Sequence, residues 1–154
     1  LLDAAGVVRL QNEYRLLEKG PASIVLAGVD DPNGPYDQKR PAQLVREIRQ
    51  AEGKDAYILM LSHRNDELDL WVNMGIQTVL CGHGHGGIVR LPFVGAVFGT
   101  HLDLFPDYTA GLYQKGQTSM IVSRGLGGSR KLPLRIGNRP EVVTIVLKAE
   151  SGRI

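Results

Sequence analysis

Cysteine is nearly absent: the one residue, Cys81, excludes a disulfide within the chain and says little about redox compartment. A strong charge balance is also missing. The formal net charge of +2 gives no argument for nucleic acid or a membrane surface as partner. No apolar run is long enough to span a bilayer, and no stretch resembles a signal peptide. Internal repeats and low-complexity segments are lacking. So is an initial methionine: residues 1–6, LLDAAG, read as the last turn of a helix with Gly6 as its cap. From that start we expect the chain to be the end of a longer protein. What is present suits one domain, residues 1–154. At 43% apolar and 22% charged, it has the composition of a globular protein with a real core.

The most informative stretch is residues 78–89, TVLCGHGHGGIV. The run Thr78-Val79-Leu80-Cys81 reads as a buried strand. Gly82-His83-Gly84-His85-Gly86-Gly87 reads as the loop at its carboxyl end, where open α/β sheets bind ligands. Glycines let the backbone turn and expose both imidazoles. If the loop is extended, alternate side chains point to opposite faces, and the two histidines serve two neighbouring ions rather than chelating one. Paired imidazoles at a strand end are metal-ligand chemistry. A metallo-β-lactamase-like site would continue with an aspartate and a further histidine, but Gly86 and Gly87 stand there.

Along the chain, residues 7–10 are a short strand candidate, with 14–17 pairing back after the polar Gln11-Asn12 turn. Residues 23–29, SIVLAGV, are a buried strand ending at Asp30 and Asp31. Either aspartate faces a site or, on the plainer reading, both cap a turn. Residues 41–51 are a helix, with Pro41 in its first turn, Leu44, Val45 and Ile48 on its apolar face, and Gly53 as its stop. Residues 56–61, AYILML, are the next buried strand, and His63 follows it directly. Residues 66–74 make a second helix, with Leu68, Trp71 and Val72 inward and Gly75 at its end. Strand, helix, strand, helix, strand implies a partly parallel sheet with crossover helices.

Residues 95–113 show no period and read as a long surface excursion. His101 within it reads as a loop residue, with substrate contact as the lesser alternative. Residues 111–116 and 118–123 suggest a hairpin. The stretch from Arg124 to Arg130, RGLGGSR, lacks the Gly-Lys-Ser/Thr of a Walker loop. It is either a plain connection or a way of laying backbone N–H groups and an arginine near a phosphate. Arg124 and Arg130 are therefore candidate substrate-binding residues. Residues 141–147, EVVTIVL, read as a strong closing strand.

Three motifs thus stand in order: Ser62-His63, Gly82-His83-Gly84-His85-Gly86-Gly87, and Ser123-Arg124-Gly125-Leu126-Gly127, followed by Pro133-Leu134-Arg135 and Arg139-Pro140-Glu141. Over nearly its whole length the chain resembles the carboxyl-terminal half of a bacterial calcineurin-like metallophosphoesterase. The resemblance implies an α/β fold, part of a four-layer α/β/β/α sandwich with mixed sheets and crossover helices. It implies two divalent metal ions (Mn, Fe, Zn or Ni), with His63 and His83 on one and His85 on the other. Gly84 and Ile88 depart from the threonine and glutamine usual in the family, and neither position is a ligand. The family's first half carries Asp-x-His, Gly-Asp and Gly-Asn-His elements, and none is found in these 154 residues. Three histidines alone leave both ions short of ligands.

The implied activity is hydrolysis of phosphate mono- or diesters at a two-metal site, the ions roughly 3.5–4 Å apart and lowering the pKa of a bridging water. The implied partners are a phosphate-ester substrate and a missing amino-terminal half or second chain. A homodimer is a further option, because a lost half leaves an open face or edge. The alternative from another class is a non-catalytic metal- or partner-binding half-domain. A plain α/β fold with incidental histidines is the third reading. Substrate identity is left open by the sequence. So is the choice between a cytoplasmic and a membrane-associated location, since any targeting segment would lie upstream.

Overall fold

The computed structural model describes residues 3–35, 38–128 and 134–148. Its elements in chain order are β1 (Glu13–Lys19), β2 (Ala22–Gly28), α1 (Pro41–Glu52), β3 (Ile58–Leu61), α2 (Leu68–Asn73), β4 (Thr78–Cys81), β5 (Val89–Leu91), β6 (Gly95–Phe98), β7 (Gly111–Lys115) and β8 (Thr118–Val122). The apolar runs expected as strands at 23–29, 56–61 and 78–81 and the two amphipathic segments expected as helices take those forms, with ends shifted by at most two residues. Six strands form one mixed sheet in the order β1-β2-β3-β4-β8-β7. The four inner strands are parallel, and the edges β1 and β7 are antiparallel to their neighbours. Helices α1 and α2 are the crossovers from β2 to β3 and from β3 to β4, as a parallel step requires.

Helix α1 starts where its sequence says. Pro41 takes the first helical position, and the Gln43 side chain accepts the Arg40 N–H at 2.9 Å. Gly53, at φ 97°, ends it in a conformation that other residues resist. Its Leu44, Val45 and Ile48 join Leu68 and Trp71 of α2 in one cluster with Val25, Ala27, Ile58, Met60, Val79, Met120 and Val122 of the sheet. This is the covered face, and Met60, Val79 and Met120 are inaccessible to water.

The next residue along each strand faces the other way. Leu61, Leu80 and Ile121 form a row across β3, β4 and β8 that continues to Leu112 on β7. The first three are half-buried and Leu112 is exposed. Parallel strands are usually apolar on both faces because both are covered. Here the chain's own helices cover only one.

Three expectations are corrected. Residues 7–10 form no strand; β1 pairs instead with β2 over seven residues, across a tight turn with Gly20 at φ 60°. The partner strand offers seven residues to pair with, where residues 7–10 offer four. The excursion at 95–113 opens with a strand, β6, paired antiparallel with β5 just before it, and Val89 is also bridged to Ile136. Residues 141–147 form no strand among the described residues, and Val142 and Val146 are 79% and 71% exposed. A strand exists only by pairing, and the backbone tie of this segment among the described residues is at Glu141, whose N–H donates to the Gly125 carbonyl at 3.1 Å.

Candidate metal centre

Parallel pairing brings the carboxyl ends of β2, β3, β4 and β8 to one edge of the sheet. The ladder continues past the strand ends. Ser62 N–H donates to the Leu80 carbonyl at 3.0 Å, and Gly82 N–H donates to the His63 carbonyl at 3.3 Å. The two loops therefore leave the sheet side by side. His63 Nε2 lies 2.9 Å from His83 Nδ1, and the rings meet edge to face with centroids 4.6 Å apart.

The histidine loop is not extended, as its glycines would have allowed. His83 and His85 stand at φ 63° and 50°, and Gly86 and Gly87 follow at 77° and 84°. Gly84 N–H donates to the Gly82 carbonyl and Gly87 N–H to the Gly84 carbonyl, each at 2.8 Å, so the loop winds through turns. A left-handed non-glycine residue costs about 1–2 kcal/mol. Tertiary bonds hold it here. The buried Asn138 donates from Nδ2 to the carbonyl oxygens of His85 and Gly87, at 2.8 and 2.5 Å. Gly86 fits because it has no side chain; a Cβ there would stand 2.5 Å from Arg124 Cγ and 2.9 Å from Asn138 Oδ1. The result separates the two imidazoles. His83 faces His63, whereas His85 lies toward Gly127 and Arg135.

Both rings are held below the ordinary imidazole pKa. For His83 the main cause is burial, followed by the charges of His63, Arg64 and His101, against the pull of Asp31. For His85 it is burial, then Arg135 and His63, against a hydrogen bond with the Gly127 backbone. A lowered pKa keeps each ring neutral near pH 7, the form that ligates a metal.

Of the aspartates after β2, Asp31 takes the capping role and Asp30 is tied to Asn12. Asp31 accepts the Asn33 N–H at 2.8 Å and pairs with Arg64 at 3.3 Å. Asp30 accepts from Asn12 Nδ2 at 2.9 Å. Burial works to raise the Asp31 carboxyl, but the bond from Asn33, then Arg64 and His63, bring it below its usual range. Arg124 is also engaged: its Nε and Nη2 reach Glu141 Oε2 at 2.8 and 2.5 Å, and its backbone N–H reaches Oε1 at 2.8 Å. The fork expected to grip a phosphate holds a carboxylate. Arg130 lies outside the described residues. His101, read from the sequence as a loop residue, has Nε2 3.2 Å from His83 Nε2 and lines a cavity of ≈ 310 Å³ with His83, Asn65 and Tyr108. Nothing in the aperiodic sequence around His101 or Asn138 marks either residue as a neighbour of the histidine loop.

The donor set fits part of a metal site. Two imidazole nitrogens meet at an accessible sheet edge, in chemistry that suits Zn, Fe, Mn or Ni. Among the described residues no group of three or more His, Cys, Asp or Glu is placed to hold an ion. Further ligands are needed to close it.

Comparison with known proteins gives likenesses that run over nearly the whole chain. The chain is 31% identical over 152 residues to the uncharacterized metallophosphoesterase YkuE of Bacillus subtilis, covering 97% of this chain and 49% of that protein. It is 30% identical over 146 residues to the phosphodiesterase YaeI of Escherichia coli, covering 95% and 49%. An uncharacterized metallophosphoesterase of Aquifex aeolicus is 30% identical over 130 residues, covering 84% and 47%. No family model matches the chain. No solved structure matches it significantly. The chain spans about half the length of the curated relatives it matches. By sequence it corresponds to roughly half of a bacterial metallophosphoesterase, in keeping with the carboxyl-terminal half.

Proposed function

We propose that this chain supplies the histidine-bearing half of a metal-dependent phosphoesterase that hydrolyses phosphate mono- or diesters at a site for two divalent ions. The observation that carries the reading is the 2.9 Å approach of His63 Nε2 to His83 Nδ1 at the carboxyl edge of the parallel strands, in a chain that matches half of such proteins. His63 and His83 ligate one ion, and His85, turned to the other side of the loop, ligates the second. Imidazole suits Mn, Fe, Zn or Ni, and carboxylates from the rest of the protein would favour Mn or Fe. Such ions, when bound, polarise phosphoryl oxygens and lower the pKa of a water. The chain's own contribution is placement: the Gly82–His63 bond sets two rings together, and Asn138 fixes the loop that carries the third. Arg124 binds substrate only by exchanging Glu141 for the phosphate, and Arg130 remains a candidate beside it. The relative named a phosphodiesterase favours a diester substrate.

The remaining ligands come from a missing half or a second chain. A second reading, a non-catalytic half-domain that binds metal or a partner, is favoured by the half-buried row Leu61, Leu80, Ile121 on the face away from the helices. Metal counting separates the two. The chain is loaded with Mn²⁺ or Zn²⁺, dialysed, and its ions counted by elemental mass spectrometry, alongside aryl phosphate mono- and diester assays of the chain and of a full-length relative. We expect His63→Ala and His83→Ala each to weaken metal binding by about 10-fold or more. We expect their counterparts in the relative to abolish turnover. Turnover that survives loss of His83 overturns the proposal. Metal binding by the chain with no turnover by the full-length relative either assigns it the second reading.

A further inference from the structure

His83 meets a neighbour with each ring nitrogen. Nδ1 faces His63 Nε2 at 2.9 Å, and Nε2 faces His101 Nε2 at 3.2 Å. A neutral imidazole has one proton, so it donates from one nitrogen and accepts at the other. The three rings therefore form a chain rather than a cluster around one point. That geometry fits the lack, among the described residues, of a three-ligand group. The loop bearing His101 is held in place by its own backbone. Gly99 N–H donates to the Asp103 carbonyl at 2.9 Å, Leu102 N–H to Gly99 at 3.2 Å, and Phe105 N–H to Val97 of β6 at 2.9 Å. Across the same cavity, Asn65 Nδ2 donates to the Tyr108 carbonyl at 2.8 Å.

We infer that His101 is a positioning residue for His83: it accepts the Nε2 proton and so leaves Nδ1 as a bare lone pair beside His63. The purpose assigned to that lone pair rests on the phosphoesterase reading above, but the tautomer belongs to the chain itself. Without metal, His63 donates its Nε2 proton to His83 Nδ1. When an ion is bound, His63 Nε2 and His83 Nδ1 would hold it in place of that shared proton. His63 then carries its proton on Nδ1 instead, and neither ring changes charge. Two imidazole nitrogens on one tetrahedral ion stand about 3.3 Å apart, from metal–nitrogen lengths of about 2.0–2.1 Å. The rings need only part by a few tenths of an ångström from 2.9 Å. Metal-bound histidines are commonly fixed in this way through the nitrogen that does not ligate, and loss of the fixing partner costs about 10–100-fold in metal affinity.

The test uses the chain labelled with ¹⁵N-histidine, alone and titrated with Zn²⁺. Long-range ¹H–¹⁵N spectra read which nitrogen of His83 carries the proton. The expected result is Nε2–H in the wild type, a mixture of tautomers in His101→Ala, and recovery in His101→Gln, whose amide oxygen accepts the same proton. Zn²⁺ affinity falls about 10–100-fold in His101→Ala and His101→Phe and returns to within a few-fold in His101→Gln. His101 is exposed, so these variants leave the core untouched. A wild type with the proton on His83 Nδ1 overturns the inference, as does a His101→Ala chain equal to wild type in both readouts. A wild type with the expected tautomer and no Zn²⁺ binding supports the positioning role, and the metal reading is overturned if a full-length relative also binds no Zn²⁺.

Discussion

Asn138 Nδ2 donates to the carbonyl oxygen of His85, 2.8 Å away and 53 residues earlier in the chain. The same group reaches Gly87, and the amide is buried. A histidine that carries a candidate ligand in a strained backbone state thus depends on a distant side chain. Removing one partner of a buried hydrogen bond costs about 1–3 kcal/mol. Asn138→Ala should lower stability by that amount in urea unfolding and weaken metal binding with it. Asn138→Asp should cost more at neutral pH, because it sets a carboxylate oxygen against two carbonyls. An Asn138→Ala chain with wild-type stability and affinity would mean the loop holds itself.

The Arg124–Glu141 pair makes stability depend on pH. The hydrogen bond from Arg124 is the main reason that the Glu141 carboxyl lies below its usual range, against an opposing effect of burial. A carboxyl with a lowered folded pKa stabilises above its unfolded value, about 4.3, and loses that contribution as pH falls through the folded value. Glu141→Gln should therefore be less stable than wild type above about pH 5, with the gap closing in stronger acid. Thermal melts of the two proteins from pH 7 to pH 3 check this. A gap that stays constant over the range would rule out the ion pair as its source.

Cys81 is buried at the end of β4, and burial pushes its thiol up to about 12. The reactive form is the thiolate. At pH 8 a disulfide reagent should label Cys81 only slowly in the folded chain and rapidly in denaturant. Fast labelling without denaturant would show that this strand end opens readily.

Adjacent residues of β3 should respond unequally to truncation. Met60 is wholly buried against the helices, and Leu61 is half-buried on the open face. Met60→Ala should cost about 2–5 kcal/mol. Leu61→Ala should cost clearly less in the isolated chain, because part of its side chain is already in water. Equal losses in denaturant titrations would mean that the open face is covered in solution.

The sequence made the sheet and its helices legible because their signals are local. Apolar runs of four or more residues mark β2, β3 and β4, and the spacing of Leu44, Val45 and Ile48 marks α1. The strands β5 and β6 have three and four residues around Pro92, Phe93 and Gly95, too few to show a period. Residues 141–147 show the opposite failure: a strand pattern without a ladder, since pairing is a property of two segments. The histidine loop shows the limit of composition. Its glycines permit either an extended or a left-handed path, and the choice is made by Asn138 and by the turn bonds at Gly84 and Gly87. His63 and His83 meet because parallel strands share an edge, which chain order foretold. His101 meets His83 through a loop whose course only the fold reveals.

The partly exposed row of Leu61, Leu80, Ile121 and Leu112 has its own thermodynamic character. Covering it removes apolar surface from water, so the contact should be driven by entropy near room temperature and carry a negative heat-capacity change. Cooling should loosen it, sulfate should tighten it, and urea should weaken it. Acid acts elsewhere, on the imidazoles at the ends of the same strands. One pair of short strands thus answers to two sets of solution conditions, heat and salting-out along its face and protons at its tip.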